Sequence, residues 1–298
     1  MNNILIVGTG ALGSLFAARL AQAGHHVTML GTWKEGIDSI NRNGITYLDS
    51  SQQQHHFQIQ ATNDPRECVG VQYALVLVKA WQTARAASQL KECLAEDGVA
   101  VTLQNGLGNR ETLIQSLGLE RVALGVTTTG ATLLDPGSVK AGGEGIISIE
   151  RNQALAPLEA ALKSAGFHLQ IVEDALSLIW GKLVINSAIN PLTALLKIPN
   201  GELLQRASAR EMMGILARET AQVAIAEQVS LPFTDPVIAA EDVARKTAAN
   251  HSSMFQDVLR GAPTEIDAIC GAIVERAQQH QIDTPANWAC WKLVKALV

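Results

Sequence analysis

Three glycines spaced as Gly8-Thr9-Gly10-Ala11-Leu12-Gly13 are the first residues along the chain whose types and spacing could bind something. They follow the apolar run Ile4-Leu5-Ile6-Val7 and lead into Ser14–Ala23, where Leu15, Ala18 and Leu20 alternate with small residues. In such a strand–turn–helix setting the glycines make a tight turn, let backbone approach a pyrophosphate, and let helix and sheet pack closely. The helix start adds free N–H groups and a partial positive charge for the anion. Gly8 to Gly13 are therefore read as the cradle of a dinucleotide.

The expected second strand, His26–Leu30, refines that reading. An NAD site usually carries an acidic residue there, bonded to the ribose 2′-hydroxyl. This chain has Gly31-Thr32-Trp33-Lys34, with no carboxylate until Glu35. A hydroxyl and a lysine suit a 2′-phosphate better, so Thr32 and Lys34 point to NADP(H), although Lys34 could equally be a solvated loop cation. Two further polar clusters follow apolar strands: Lys79-Ala80-Trp81-Gln82 after Ala74–Val78, and Gln104-Asn105-Gly106 after Val99–Leu103. In open α/β sheets ligands bind outside the carboxyl ends of strands, so both clusters should face the cofactor.

Lys182, Asn186 and Asn190 recur every fourth residue in an otherwise apolar stretch, which puts them on one helix face. Buried without partners they would be costly, so the stripe is either a solvent face or a binding face. Pro191 argues against a long solvated helix, because it should break the ladder beside Asn190. Glu265 opens the amphipathic stretch Glu265–Gln279, where a carboxylate also suits the helix dipole.

The elements that must position these groups fall into two halves. Strand and helix signals alternate to about residue 173, as in a doubly wound α/β domain. Short strands are expected at 44–48, 56–61, 122–126, 146–150 and 168–172, with a turn at Asp135-Pro136-Gly137. Beyond Glu173 long amphipathic stretches take over: 175–189, 209–228, 235–249 and 265–279. The expected architecture is a Rossmann-type α/β dinucleotide-binding domain (1–173) followed by an all-α helical domain (174–298).

Composition narrows the partners. A chain of 298 residues, 47% hydrophobic and 17% charged, can bury a sizeable core and does not read as disordered. A net charge of −5 without a basic cluster argues against nucleic acid. No apolar run approaches the length of a membrane span and no leader pattern opens the chain, so a cytoplasmic protein is expected. Cys68, Cys93, Cys270 and Cys290 lack CxxC spacing and read as reduced structural thiols; no metal site is evident in the histidine pattern. A monomer and a homodimer are both compatible with the apolar helices.

Several segments, in order over nearly the whole chain, resemble the ketopantoate reductases (2-dehydropantoate 2-reductases). They are VGTGALGSLFAARL, LVLVKAWQT, LQNGLGN, TTTGATLLDPG, WGKLVINSAINPLTALLKIPNGEL, NHSSMFQD and PTEID. The resemblance implies NADPH-dependent reduction of a small 2-oxo acid, ketopantoate to (R)-pantoate. It makes Lys182 the proton donor and Glu265 the second catalytic residue, a carboxylate that closes the site and also reaches the cofactor. Lys79, Gln82, Asn105 and Thr132 join the cofactor set. Asn105, Lys182, Asn186, Asn190, Asn200, Asn250 and Ser253 form the substrate set. The arginine that commonly follows the second strand in this family is absent, its place held by Gly31-Thr32-Trp33-Lys34.

The implied chemistry is simple. Hydride delivery to the keto carbon leaves negative charge growing on oxygen, which a positioned lysine can stabilise and then protonate. Desolvation should lower the pKa of Lys182 while Glu265 raises it, giving a coupled pair. The asparagines and Ser253 can hold substrate oxygens without adding charge. A reductase of another branched 2-oxo acid, a β-hydroxyacid dehydrogenase, and a non-catalytic NADP-binding sensor are the competing readings; the sensor would need neither Lys182 nor Glu265.

Overall fold

The computed structural model describes residues 3–297, and the chain divides into two compact units. Residues up to 104 together with 109–175 form the first; residues 105–108 and 176 onward form the second. The segment 105–108, expected in the first half, thus belongs with the helices.

The first unit opens with β1 (Asn3–Val7), α1 (Ala11–Gln22), β2 (His26–Leu30) and α2 (Lys34–Asn43). It continues with β3 (Ile45–Leu48), β4 (Gln54–Phe57), β5 (Gln60–Thr62), β6 (Val71–Val76), α3 (Thr83–Cys93) and β7 (Leu94–Thr102). Then come α4 (Asn109–Leu117), β8 (Val122–Thr127), β9 (Ala131–Asp135), β10 (Ser138–Ala141), β11 (Ile146–Glu150), α5 (Ala156–Ser164) and β12 (His168–Val172). Eight strands pair in the order β12-β11-β8-β7-β6-β1-β2-β5, parallel except where β11 meets β8. The apolar runs explain why: Ile4, Leu5, Ile6 and Val7 are all buried, as a strand covered on both faces requires.

The strand order reverses at β1, whose neighbours are β2 on one side and β6 on the other. Ligands of open parallel sheets bind at such a switch point, and the Gly-rich turn leaves β1 there.

The other four strands form a separate sheet, β4-β3-β10-β9, which packs against α1. A single strand over 56–61 was expected; instead β4 joins the small sheet and β5 the large one. The turn at Asp135-Pro136-Gly137 closes the hairpin between β9 and β10, and β10 pairs in parallel with β3. Helix α1 lies against both sheets, which is why Phe16, Ala17, Ala18 and Leu20 are all fully buried.

The second unit contains α6 (Ala175–Leu196) from its second residue onward, α7 (Glu202–Gln205), α8 (Ala207–Ala226), α9 (Pro236–Lys246), α10 (Ser253–Leu259), α11 (Ala272–Gln279) and α12 (Pro285–Lys295). Its core joins Trp180, Leu183, Val184 and Ile189 of α6 to Met213, Leu216 and Ala217 of α8 and to Ile269 and Ile273. Helix α6 runs through Pro191 instead of breaking there. A proline inside a helix costs about 3 kcal/mol, but burial of Ala188, Ile189, Leu192 and Ala194 around it offsets that. The expected helix over 265–279 is also modified: residues Asp267–Gly271 form a π-helical turn that leads into α11, and Glu265 lies just ahead of it. Among the described residues no helix is long and apolar enough to cross a membrane.

Glu219 of α8 shows how the helices are fastened. It is 7% exposed, and its carboxylate accepts from the backbone N–H groups of Ala286 and Asn287 and from the Asn287 side chain, at 2.8–2.9 Å. Thr284 makes no side-chain cap at the start of α12, so Glu219 satisfies those amides from a neighbouring helix. Charged hydrogen bonds contribute about 1.5–3 kcal/mol, and their loss strands buried donors. Glu219→Ala should therefore lower stability by about 2–4 kcal/mol in urea unfolding. A change below about 0.5 kcal/mol would mean that water caps α12 equally well.

Candidate active site

The Gly-rich turn has the geometry its spacing predicts. Gly8 has φ +128°, and a Cβ there would lie 3.1 Å from the Leu77 backbone. Its N–H donates to the Leu30 carbonyl at 2.8 Å, while Leu77 N–H donates to Val7, so the turn is pinned between β2 and β6. A Cβ on Gly13 would come within 2.0 Å of the Gly8 carbonyl oxygen. Gly10, by contrast, opens onto free space and caps α1 without a side-chain bond. Two glycines are thus required by the protein itself, and the third leaves room against a helix N-terminus. That donor set fits a pyrophosphate. Ala11 and Leu12 start α1 beside it, and Thr9 is buried against Gly31, where a Cβ would meet the Thr9 side chain at 2.7 Å.

At the end of β2, Thr32 and Lys34 are both exposed. Lys34, the first residue of α2, shares a shallow depression with Glu35, Asp38, Ser39, Arg42 and Pro136. Arg42 is thus an arginine on the same groove, eight residues along the helix, with Asp38 between the two cations. Spacing along α2 could have revealed it.

Beyond β6, Lys79 begins a short 3-10 turn that Gln82 closes, Gln82 N–H donating to the Lys79 carbonyl at 2.8 Å. Both side chains are half-buried. A polar network behind them passed unrecognised in the sequence. Gln104 Nε2 donates to the Val78 carbonyl at 3.0 Å and to Thr83 Oγ1 at 2.7 Å, and Thr83 Oγ1 donates to Asn109 Oδ1 at 2.8 Å. It ties the segment around Lys79 to the end of β7. Thr132 sits elsewhere, in β9 of the small sheet and cross-strand from Lys140.

In the helical unit, Asn105 Nδ2 donates to Glu265 Oε2 at 3.2 Å. Residues 105–108 are held there by Leu107 N–H donating to the Ala268 carbonyl at 2.9 Å, and by Gly106, where a Cβ would meet that carbonyl oxygen at 2.3 Å. Glu265 is 6% exposed. Lys182 is half-buried, and burial of its ammonium pushes the pKa down to about 8, against the opposing pull of the Glu265 carboxylate. Lysine, carboxylate and amide thus form one electrostatic group.

The asparagine stripe is not a solvent face. Asn186 is half-buried and Asn190 only 7% exposed. One turn past Asn190, Thr193 Oγ1 donates to Ser252 Oγ at 2.7 Å, and Ser252 Oγ accepts from Phe255 N–H to cap α10. This bond brings the start of α10, with exposed Ser253, to α6. Ser252 therefore does the structural work beside Ser253. Asn200 is buried; its N–H donates to the Asn250 carbonyl at 3.0 Å and its Nδ2 to Thr247 Oγ1 at 2.9 Å. Its Oδ1 has no hydrogen-bond partner in the described structure, while the Asn250 side chain is exposed.

Residues 4–153 match the family model described as ketopantoate reductase PanE/ApbA, and residues 174–298 match that of its C-terminal part. The chain belongs to the ketopantoate reductase family. A 2-dehydropantoate 2-reductase of Halobacterium salinarum is 33% identical over 95% of this chain and 94% of its own. The solved PanE/ApbA family ketopantoate reductase from Ralstonia eutropha JMP134 is 31% identical, covers 99% of this chain and 98% of its own, and superposes with a TM-score of 0.93. A D-mandelate dehydrogenase solved with NADH and anilino(oxo)acetate superposes with the same TM-score at 25% identity, covering 99% and 98%. The same fold is therefore shared by solved proteins named for different activities.

Proposed function

We propose that this chain reduces ketopantoate to (R)-pantoate with NADPH, using Lys182 as general acid. The observation that carries the reading is the Lys182–Glu265–Asn105 group, in which burial holds a lysine near a pKa of about 8 beside a carboxylate. The family membership supports the substrate, and the relatives named 2-dehydropantoate 2-reductase support it further.

Bound at the Gly8–Gly13 turn, the reduced nicotinamide cofactor supplies hydride. Gly10 and the N–H groups at the start of α1 would hold its pyrophosphate; Lys79, Gln82 and Asn105 are assigned to the nicotinamide end and Thr32 and Lys34 to the 2′-phosphate. As charge grows on the keto oxygen, the Lys182 ammonium stabilises it and transfers a proton to it. Glu265 keeps Lys182 protonated near neutral pH, and Asn105 fixes the carboxylate. Asn186, Asn190, Asn200, Asn250 and Ser253 are assigned to the hydroxyl and carboxylate oxygens of the substrate. Neutral amides there leave the lysine as the dominant local charge. Four buried free thiols suit the reducing cytoplasm.

Glu265→Gln removes the charge that supports Lys182. Turnover should fall, KM for the oxo acid should rise, and the alkaline limb of the pH profile should move to lower pH. Normal kinetics with lowered thermal stability would instead make Glu265 a structural residue near the π-turn.

A second reading is the NADH-linked reduction of a different 2-oxo acid. It is favoured by the absence of an arginine at the end of β2 and by the likeness to D-mandelate dehydrogenase with NADH. Product analysis after incubation with ketopantoate and each reduced cofactor separates the two, because stoichiometric pantoate forms only under the first. Cofactor binding without turnover on any 2-oxo acid would return the chain to a sensor role.

A further inference from the structure

Asp267 lies outside every set of residues assigned above, yet two side chains make three hydrogen bonds to it. Trp291 Nε1 donates to its Oδ1 at 2.6 Å, and Lys295 Nζ reaches Oδ1 at 2.9 Å and Oδ2 at 3.1 Å. Burial works to raise the Asp267 pKa, but the bonds from Lys295 and Trp291 outweigh it and hold the group below the ordinary value. Asp267 is the first residue of the π-turn, and both partners belong to α12. The turn and that helix also touch closely: a Cβ on Gly271 would lie 2.9 Å from the Trp291 ring.

The next residue, Ala268, offers the carbonyl that accepts the Leu107 N–H, and Gly106 packs on the same carbonyl. Glu265 stands two residues before Asp267 and receives the Asn105 side chain. One short π-turn therefore carries Glu265 on its leading side and the anchor of the Asn105 segment within it. Single π-turns inside helices recur at functional sites, since the extra residue re-aims the backbone. Asp267 and Lys295 are both more than half exposed or nearly so, at 60% and 50%, and ion pairs that open to water add little to folding. Their use lies in position.

We propose that Asp267, Trp291 and Lys295 are positioning residues that clamp the π-turn onto α12 and so set the placement of Glu265 and Asn105 around Lys182. The inference rests on the reading of Lys182 and Glu265 as the catalytic pair. The path runs from α12 through Asp267 to the turn, and from the turn to both partners of the lysine, without any of the three clamp residues touching substrate.

The test uses the full-length protein carrying Asp267→Ala or Trp291→Phe, with Lys182→Ala measured alongside. Trp291→Phe deletes the N–H donor with the five-membered part of the indole and keeps a smaller aromatic ring in its place, while Asp267→Ala leaves the Trp291 ring against Gly271 intact. Both clamp variants should keep the melting temperature within a few degrees and lower kcat by about 3–10-fold, the scale of a small misplacement. The alkaline limb of their pH profile should move to lower pH, because a withdrawn Glu265 no longer supports the Lys182 charge. Amide exchange at Leu107, followed by NMR without substrate, should speed up. Unchanged kcat, pH limb and Leu107 exchange in both variants, while Lys182→Ala is crippled, overturns the clamp alone. Activity lost only in proportion to lost folded protein overturns it as well. Full activity in Lys182→Ala overturns the catalytic reading and takes the clamp with it.

Discussion

Lys182→Ala is expected to lower kcat at least ~100-fold, the usual scale for removing a general acid. The residue lies on a buried helix of the second unit, but its own side chain is partly exposed, so truncation should leave the fold intact. Cofactor affinity should change little, since the Gly-rich turn belongs to the first unit. The pH profile carries a second mark of the same residue. A general acid works only when protonated, so kcat/KM should fall as pH rises through about 8, the value that burial and Glu265 together set. Lys182→Arg separates the two roles of the lysine: arginine keeps the positive charge but holds its proton too tightly to donate it. It should recover part of the substrate affinity and little of the turnover. A folded Lys182→Ala protein with unaltered kcat would remove the lysine from the mechanism.

The second large effect concerns the glycines. Gly13→Ala places a Cβ 2.0 Å from the Gly8 carbonyl oxygen, a separation that forces the backbone of the turn to move. Overpacking of this kind costs about 1–3 kcal/mol, and here the displaced atoms are those proposed to hold the pyrophosphate. We expect a lower melting temperature together with an NADPH affinity reduced by about 100-fold, near the upper end of that energy converted at 1.4 kcal/mol per tenfold. Gly10→Ala should behave differently, because a Cβ there meets nothing within 4 Å in the protein itself. Its stability should hold while NADPH binding weakens, the methyl group intruding only on the ligand. Isothermal titration and thermal melts on both variants check the contrast. Equal, intact affinity in the two would move the cofactor away from this turn.

How much of this was legible beforehand follows from what each feature depends on. The Gly-rich strand–turn–helix was readable because its demands are local: three glycines, an apolar strand before them and a helix after. The periodicity of Lys182, Asn186 and Asn190 placed them on one face but could not say what that face meets. The burial of Asn190 decides it. Pro191 misled because a local rule was applied to a helix whose surroundings outweigh it. The small sheet went unread for a topological reason. Its strands are four or five residues long, and β3 finds its parallel partner β10 some ninety residues later. The bond from Asn105 to Glu265 spans 160 residues and moves a segment expected after a β-strand into the helical unit. The π-turn was invisible for the opposite reason: Ile266, Ile269, Cys270 and Ile273 repeat as they would in an ordinary helix.

The central claim is the reaction itself, and initial rates of reduced-nicotinamide oxidation test it most directly. Purified protein would be assayed with NADPH and with NADH against ketopantoate and a panel of other 2-oxo acids, aromatic ones included. The account predicts that ketopantoate with NADPH gives the highest kcat/KM, with NADH slower. A higher kcat/KM for another 2-oxo acid, or no oxidation with ketopantoate under conditions where NADPH binds, would contradict it.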